Sequence, residues 1–558
     1  MSAARRTLLL AGGVAALLLW AVAYPNLFVL LDSLRDAGGW TLDHYRTFVS
    51  SRAELRALWN SLWISGASVV LAALIGVPLA FLFAGADFPG RRILGALVSL
   101  PVLLPPLVGV IAFLFLYGET GFLTRGLQEL LGLAGPPWRL SGAGAILLVH
   151  AYTMYVYFYL FTSAALARLD PALGEAAASL GASRWGMLRR VTLPLLAPAL
   201  GGAGLLVFMT SMASFSAPYV FGGNFRVLTT QLFASKLNGA LGLVAVEAVV
   251  LAASSLLFLA LLQRYEAARL YTGAGKGPGQ RGAPADPASA GKRWGVAALA
   301  GGLVAFLLLP HATVLVVSLV PDGTWTTELF PPAYSGENYV QVFTDRQAFV
   351  PILNSLRMAT VATVGNVLLA FVAAYLMARR GAPLRGLVST LVTLPWALPG
   401  TVLAVALATT FSVDQPLAGR FLLVGTGAIL PLAYFIRNIP LVTRAALTSF
   451  RQFDPSLEEA AASLGATWPA TMRRVALPLV LPGLAAGAML AFVTALGEFV
   501  ASILLYTHRT RPISIEILAQ LRAFDFGAAA AYAVLLIVLM SAVFVLGQRA
   551  LGDARPGL

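Results

Sequence analysis

Asp170-Pro171-Ala172-Leu173-Gly174-Glu175-Ala176-Ala177-Ala178-Ser179-Leu180-Gly181 returns later in the chain as Asp454-Pro455-Ser456-Leu457-Glu458-Glu459-Ala460-Ala461-Ala462-Ser463-Leu464-Gly465. The likeness continues through Arg189-Arg190-Val191 and Leu193-Pro194 in the first copy and Arg473-Arg474-Val475 and Leu477-Pro478 in the second. Every matched pair stands 284 positions apart (459 − 175, 465 − 181, 478 − 194), so neither copy has gained or lost a residue. Both are short polar islands in a very apolar chain. A membrane protein that carries one polar loop twice presents it to something in the water.

The 558 residues are 59% hydrophobic and 11% charged, with a mean hydropathy of +0.82. A soluble domain carries about 25% charged residues, so the class is a polytopic membrane protein. Apolar runs long enough to cross a ~30 Å hydrocarbon core recur along the whole length. The net charge of +14 does not point to nucleic acid. Its arginines sit mostly in short loops between apolar runs, where the positive-inside rule places them. The absence of cysteine excludes disulfides, thiolate metal sites and cysteine nucleophiles.

Twelve spans are expected, near 8–31, 58–84, 93–117, 142–168, 195–222 and 241–263, then 294–320, 350–378, 386–412, 424–448, 479–506 and 527–548. Asn60-Ser61-Leu62 matches Asn354-Ser355-Leu356, and Leu100-Pro101 and Pro105 match Leu394-Pro395 and Pro399, all 294 apart. The offset then falls to 284 because the second half lacks about ten residues of the loop after its third span. Six spans per half make a parallel repeat, with its pseudo-two-fold axis along the membrane normal. The fold class is all-α, with modules at 1–263 and 294–558 and a linker at 264–293 rich in Gly, Pro, Ala, Lys and Arg. Arg5-Arg6, Arg91-Arg92, both islands, Arg379-Arg380 and Arg549 fall on one side, which is therefore cytoplasmic together with both termini and the linker. Ala21-Val22-Ala23 resembles a signal-peptidase site, but the apolar run continues past Pro25, and the first span reads as a retained helix. Gly275-Lys276-Gly277 is not a phosphate loop: no Ser or Thr follows the lysine, and position 270 is Leu.

Within each island, Asp170 or Asp454 is a good N-cap, with proline at the first helical position. A short helix follows, and Gly181 or Gly465 ends it in the left-handed conformation. Ser183 and Thr467 are expected to cap a second short helix that carries the paired arginines and ends at Pro194 or Pro478. The alanines keep the first helix thin enough for another protein's groove to close around it. Glu175 and Glu459 offer a charge for a partner to fix. An interfacial amphipathic helix would instead carry large apolar residues on one face.

The pattern Glu-Ala-Ala, three residues, Gly, nine residues, aliphatic, one residue, Leu-Pro resembles the EAA loop of permease subunits of bacterial ATP-binding-cassette importers. The resemblance covers the entire chain and is to the fused, type I kind, which holds both modules in one polypeptide of the inner membrane. It implies that Glu175, Ala176, Ala177 and Gly181 meet one copy of a separate cytoplasmic ATPase, and Glu459, Ala460, Ala461 and Gly465 another. It also implies a periplasmic or lipid-anchored binding protein, ATP used by the partner subunits, and no cofactor or catalytic site in this chain. Permeases of this layout look most like ferric-iron importers, with thiamine and phosphonate importers sharing it.

Charges inside spans are costly and mark a pathway or a pair. Glu498, beside Phe499, corresponds to Ser214 beside Phe215, so the halves are chemically unequal. These four residues and Arg437 are the pathway candidates. The other reading of Glu498 is an ion pair with Arg437 that holds the bundle together. Glu247 reads as structural or facing lipid, and His150 and His311 as satisfied core residues; the four histidines suggest no metal site. A secondary transporter could also show repeated halves. It would need an ion site in the membrane and would have no use for two EAA loops.

Overall fold

The computed structural model describes residues 3–103, 105–269, 290–321, 323, 329–379, 381–412 and 421–552. Lys276 and most of the expected linker lie outside them. Six long helices form each half. In the first they are α1 (Arg5–Asp32), α2 (Arg52–Gly85), α3 (Pro106–Leu130, interrupted at 118–121), α4 (Gly142–Leu166), α5 (Trp185–Met212) and α6 (Leu241–Arg269). In the second they are α7 (Ala290–Val317), α8 (Arg346–Ala378), α9 (Arg385–Ala397 and Gly400–Thr410), α10 (Ile429–Gln452), α11 (Trp468–Leu496) and α12 (Phe526–Gly552). Helices α6 and α7 run into the segment read as linker. A two-stranded hairpin pairs Arg35–Asp36 with Gly39–Trp40 between α1 and α2.

Among the described residues, ten helices are long and apolar enough to cross a membrane, or eleven if the bent α9 is one span. The twelfth expected span is α10, whose 24 residues include Arg437, Arg444 and Arg451. Its apolar face is spent on the protein interior. The third spans are not the continuous helices the sequence suggested. α9 bends by 109° between its two segments, and Pro399 caps the second of them. The matching Pro105 caps α3, leaving Arg91–Val98 as a separate short helix. A proline lacks the amide the ladder needs and pushes the residue before it out of the helical region.

The halves are built alike and are interlocked. α2 packs on α4 and α5 as α8 packs on α10 and α11. The first helix of each half also reaches into the other: α1 lies on α8 and α9 as well as on its own α6, and α7 lies on α3 as well as on its own α12. Trp20 of α1 meets Phe411 edge-on, with ring centroids 5.5 Å apart. The α2–α4 contact is close because Gly76 has no side chain. A Cβ there would overlap the Tyr155 carbonyl oxygen and stand 2.7 Å from the Phe158 Cβ. Gly76→Val should therefore destabilise the chain by about 1–3 kcal/mol through overpacking. Gly66→Val, on the same helix with nothing within 4 Å of its Cβ position, should not. Thermal unfolding of the two variants in detergent separates these outcomes.

Candidate functional site

Each island is a short helix with the same two ends. The Asp170 carboxylate accepts the Ala172 N–H at 3.0 Å, and Asp454 accepts that of Ser456 at 2.9 Å. Hydrogen bonding from Ser456, its backbone first and its side chain second, holds Asp454 below the usual carboxylate pKa. The helices span Pro171–Ser179 and Ser456–Ser463. At the far end Gly181 has φ +77° and Gly465 φ +80°. The Gly181 and Ala182 amides donate to the Ala178 and Ala177 carbonyls at 2.9 and 3.0 Å, and Gly465 and Ala466 do the same with Ala462 and Ala461. These paired bonds form a Schellman motif.

Glu175, Ala176 and Gly181 are exposed and Ala177 is half-buried; Glu459, Ala460, Gly465 and Ala461 repeat that distribution. Sequence reasoning missed the most exposed members. Leu180 and Leu464, each just before its glycine, are 88% and 89% exposed. A leucine at the same place in both polar loops was the available signal.

The second short helix differs from expectation. Ser183 does cap, its hydroxyl accepting the Gly186 N–H at 3.1 Å, but the Thr467 side chain caps nothing. Pro469 supplies a preset first-turn φ there and has no amide to satisfy. Nor do Pro194 and Pro478 end a helix. The chain runs through a π turn, Leu188–Thr192 or Met472–Ala476, straight into the membrane helix. A proline ring clashes with the carbonyl four residues back, and the wide turn falls where that clash would be. Both islands are thus continuous with α5 and α11.

The islands have unequal surroundings. Glu458 pairs with Arg379, whose guanidinium lies 4.4 Å from the Tyr375 ring centroid. Trp468 Nε1 donates to the Tyr375 hydroxyl at 3.3 Å, and Arg6 of α1 covers the Trp468 ring at 4.7 Å. A cleft of about 740 Å³ opens beside these groups, with Thr7 and Leu8 on one wall and Phe450 and Pro455 on another. The first island has Gly174 and Arg184 in place of Glu458 and Trp468.

The pathway candidates converge at the other ends of α5 and α11. Phe215 and Phe499, which correspond by the 284 offset, meet with ring centroids 6.0 Å apart. Tyr219 stacks on Phe215 at 5.1 Å, and Phe233 closes the cluster edge-on. Both phenylalanines are 1% exposed. Arg437 Nε lies 2.8 Å from Glu498 Oε2, so the expected pair forms. Glu498 Oε1 also accepts the Ala501 N–H at 3.1 Å. Ser214 takes another course: its hydroxyl bonds His150 Nε2 at 2.9 Å, while Ser68 and Ser211 approach Nδ1 at 3.0 and 3.1 Å. His150 is a satisfied core residue. His311 Nδ1 meets the Tyr152 hydroxyl at 3.0 Å. Glu247 is fully buried and does not face lipid.

Comparison with known proteins agrees with this duplicated architecture. Residues 76–270 and 366–552 each match the family described as binding-protein-dependent transport system inner membrane component. A protein of Sinorhizobium fredii named "Probable ABC transporter permease protein y4fN" is 31% identical over 95% of this chain and 94% of its own length. The ferric transport system permease protein FbpB of Actinobacillus pleuropneumoniae is 26% identical over 97% of this chain and 77% of its own. A bacterial ABC transporter involved in alginate import matches 47% of this chain and 96% of its own, at 18% identity and a TM-score of 0.39, too distant to bear on the helix arrangement. The chain belongs to the family of inner membrane components of binding-protein-dependent transport systems, and it carries that family's module twice.

Proposed function

We propose that this permease carries ferric iron inward and is driven by two copies of a separate ATPase, one docked on each island at the cytoplasmic face. The observation that carries the coupling reading is the path from island to axis. α5 covers 28 residues, or roughly 40 Å at 1.5 Å per residue, from the first island to the edge of the Phe215 cluster. α11 does the same for Phe499. Drawing the islands together when ATP closes the ATPases would turn both levers and part the aromatic contact. The leucines at 180 and 464 and the thin alanine faces suit a partner groove, and no phosphate-binding loop is evident in the chain itself. The cargo rests on the ferric relative, which aligns along almost the whole chain.

Two measurements test this reading. Proteoliposomes holding the chain, the ATPase and the binding protein should take up radiolabelled ferric iron with ATP, and the chain alone should hydrolyse none. Uptake of thiamine or phosphonate with no iron uptake would replace the cargo and leave the coupling intact. Because the chain has no cysteine, Leu180→Cys should react with an impermeant thiol reagent only from the cytoplasmic side. Trp40→Cys, 66% exposed as tryptophan in the hairpin, should react only from the periplasm. The reverse pattern would overturn the orientation.

A further inference from the structure

Two carboxyl groups that the transport reading does not use meet inside the first half. Glu54 opens α2 and is 2% exposed; Glu247 lies in α6 and is 0% exposed. α2 runs parallel to α4, since Ser68 meets His150 and, further along both helices, Gly76 meets Tyr155 and Phe158. As α4 leads into the first island, Glu54 stands at the opposite end of the bundle.

The short helix Leu228–Leu237 gives each carboxyl one neutral donor. Gln231 Nε2 donates to Glu54 Oε1 at 2.7 Å, and the Ser235 hydroxyl to Glu247 Oε1 at 2.8 Å. The other oxygen of each, Oε2, is buried with no donor. Gln231 and Ser235 are four residues apart on that helix and so share one face of it, which holds the two carboxyls side by side in the dry interior. Two ionised carboxylates held side by side, desolvated and without a cation, repel at low dielectric. One proton between them gives a donor to the orphaned oxygens and removes the repulsion.

The surrounding charges do not supply that compensation. Among the described residues neither glutamate has an ion-pair partner. Arg226 donates to Gln231 Oε1 at 3.1 Å and so acts only through the amide. Lys236 spends its ammonium on the Leu504 carbonyl at 2.6 Å. On the helix Asp43–Ser50, packed against α6, Asp43 pairs with Arg46 and His44 bonds the Arg35 carbonyl. Arg52 and Arg56 are exposed. A metal ion fits poorly, because Gln231 and Ser235 present N–H and O–H to the carboxylates, whereas Ca²⁺ wants about six to eight oxygen lone-pair donors.

The second half meets the same junction differently. Arg226, Gln231 and Glu247 correspond to Arg511, Glu516 and Tyr532, each pair 285 apart, and Glu54 corresponds to Ala348. There Arg511 Nε stands 2.8 Å from Glu516 Oε2, and the Tyr532 hydroxyl donates to the Ala348 carbonyl at 2.6 Å. An ion pair and a phenol leave no proton to be shared.

We propose that Glu54 and Glu247 form a proton-binding site, an acid–carboxylate pair holding one proton and present in only one half of the duplicated permease. The proton belongs to the pair and to neither residue alone. The test is infrared spectroscopy of the full chain in lipid at neutral pH, in H₂O and D₂O. The wild type should show a protonated-carboxyl carbonyl band from a solvent-shielded group. Glu54→Gln and Glu247→Gln should each lose it, because each amide donates to the remaining carboxylate in the proton's place. If either fails to accumulate, Glu54→Ala/Glu247→Tyr, which places at these two positions the residues the second half has there, serves as the variant without the band. Absence of the band in the wild type, or its survival in these variants, overturns the proposal. So does a tightly bound metal ion, found by elemental analysis of the wild type and missing from Glu247→Gln.

Discussion

Replacing Gly181 and Gly465 together with valine should cut transport by more than tenfold while the chain still inserts and accumulates. Both glycines sit at φ near +80°, where a β-branched residue is a steric misfit. No neighbour opposes the substitution: nothing lies within 4 Å of either Cβ position. The cost is therefore conformational, on the order of 1–3 kcal/mol at each site, and it is relieved by unwinding the Schellman bonds. Those bonds set the direction in which Leu180 and Leu464 leave their helices. Once they open, the surface offered to a partner is lost, and each 1.4 kcal/mol of docking energy is a tenfold change in affinity. The series at these positions should be graded. Asparagine, which tolerates the left-handed region, should retain most uptake; alanine should be intermediate and valine worst. The single variants should differ, because the second island is also held by Arg379 on Glu458 and by Arg6 over Trp468. Membrane abundance, ATPase co-purification and iron uptake are the three readouts. Normal uptake by the abundant double variant would remove the islands from the coupling role.

The islands were legible because their structure is local. An aspartate, a proline, three alanines and a glycine fix a capped helix and its end within a dozen residues, and repetition at one offset marks them as more than a turn. The helical repeat was legible for a related reason, since apolar runs report length. What the sequence hid depends on partners far along the chain. The pairing of Arg437 with Glu498 was one of two readings the residues offered, and it took the fold, which sets α10 against α11, to show that the pair forms. Pro105 and Pro399 were visible as matches, but whether a proline bends a helix or ends one depends on what can satisfy the freed carbonyls. That α1 and α7 each reach across to the other half leaves no trace in composition. Glu54 was not weighed among the intramembrane charges because it precedes the expected span at 58–84; the Ser51 side chain caps the helix, at 3.4 Å from the Glu54 amide, while the carboxylate turns inward to Gln231.

Arg437→Ala should destabilise the chain by about 3–5 kcal/mol, the range for stripping the partner from a buried charge, and Glu498→Gln by distinctly less. The difference follows from exposure. The Glu498 side chain is 9% exposed and that of Arg437 33%. Without Arg437, the carboxylate keeps only the Ala501 amide in a nearly dry site; without the carboxylate, the guanidinium still reaches water. Removing both charges, as in Arg437→Met/Glu498→Leu, should recover most of the stability, because no ion is then left unpaired. The first half already builds the equivalent corner without a carboxylate: Ser214 stands at that position and is held by His150, so the fold itself does not require the glutamate. If the pair belongs to the transport path beside Phe499, uptake should stay low in the stable double variant. Thermal unfolding in detergent, measured alongside uptake, distinguishes the two roles. If the neutral double variant regains both stability and transport, Arg437 and Glu498 are a clamp and the cargo passes without them.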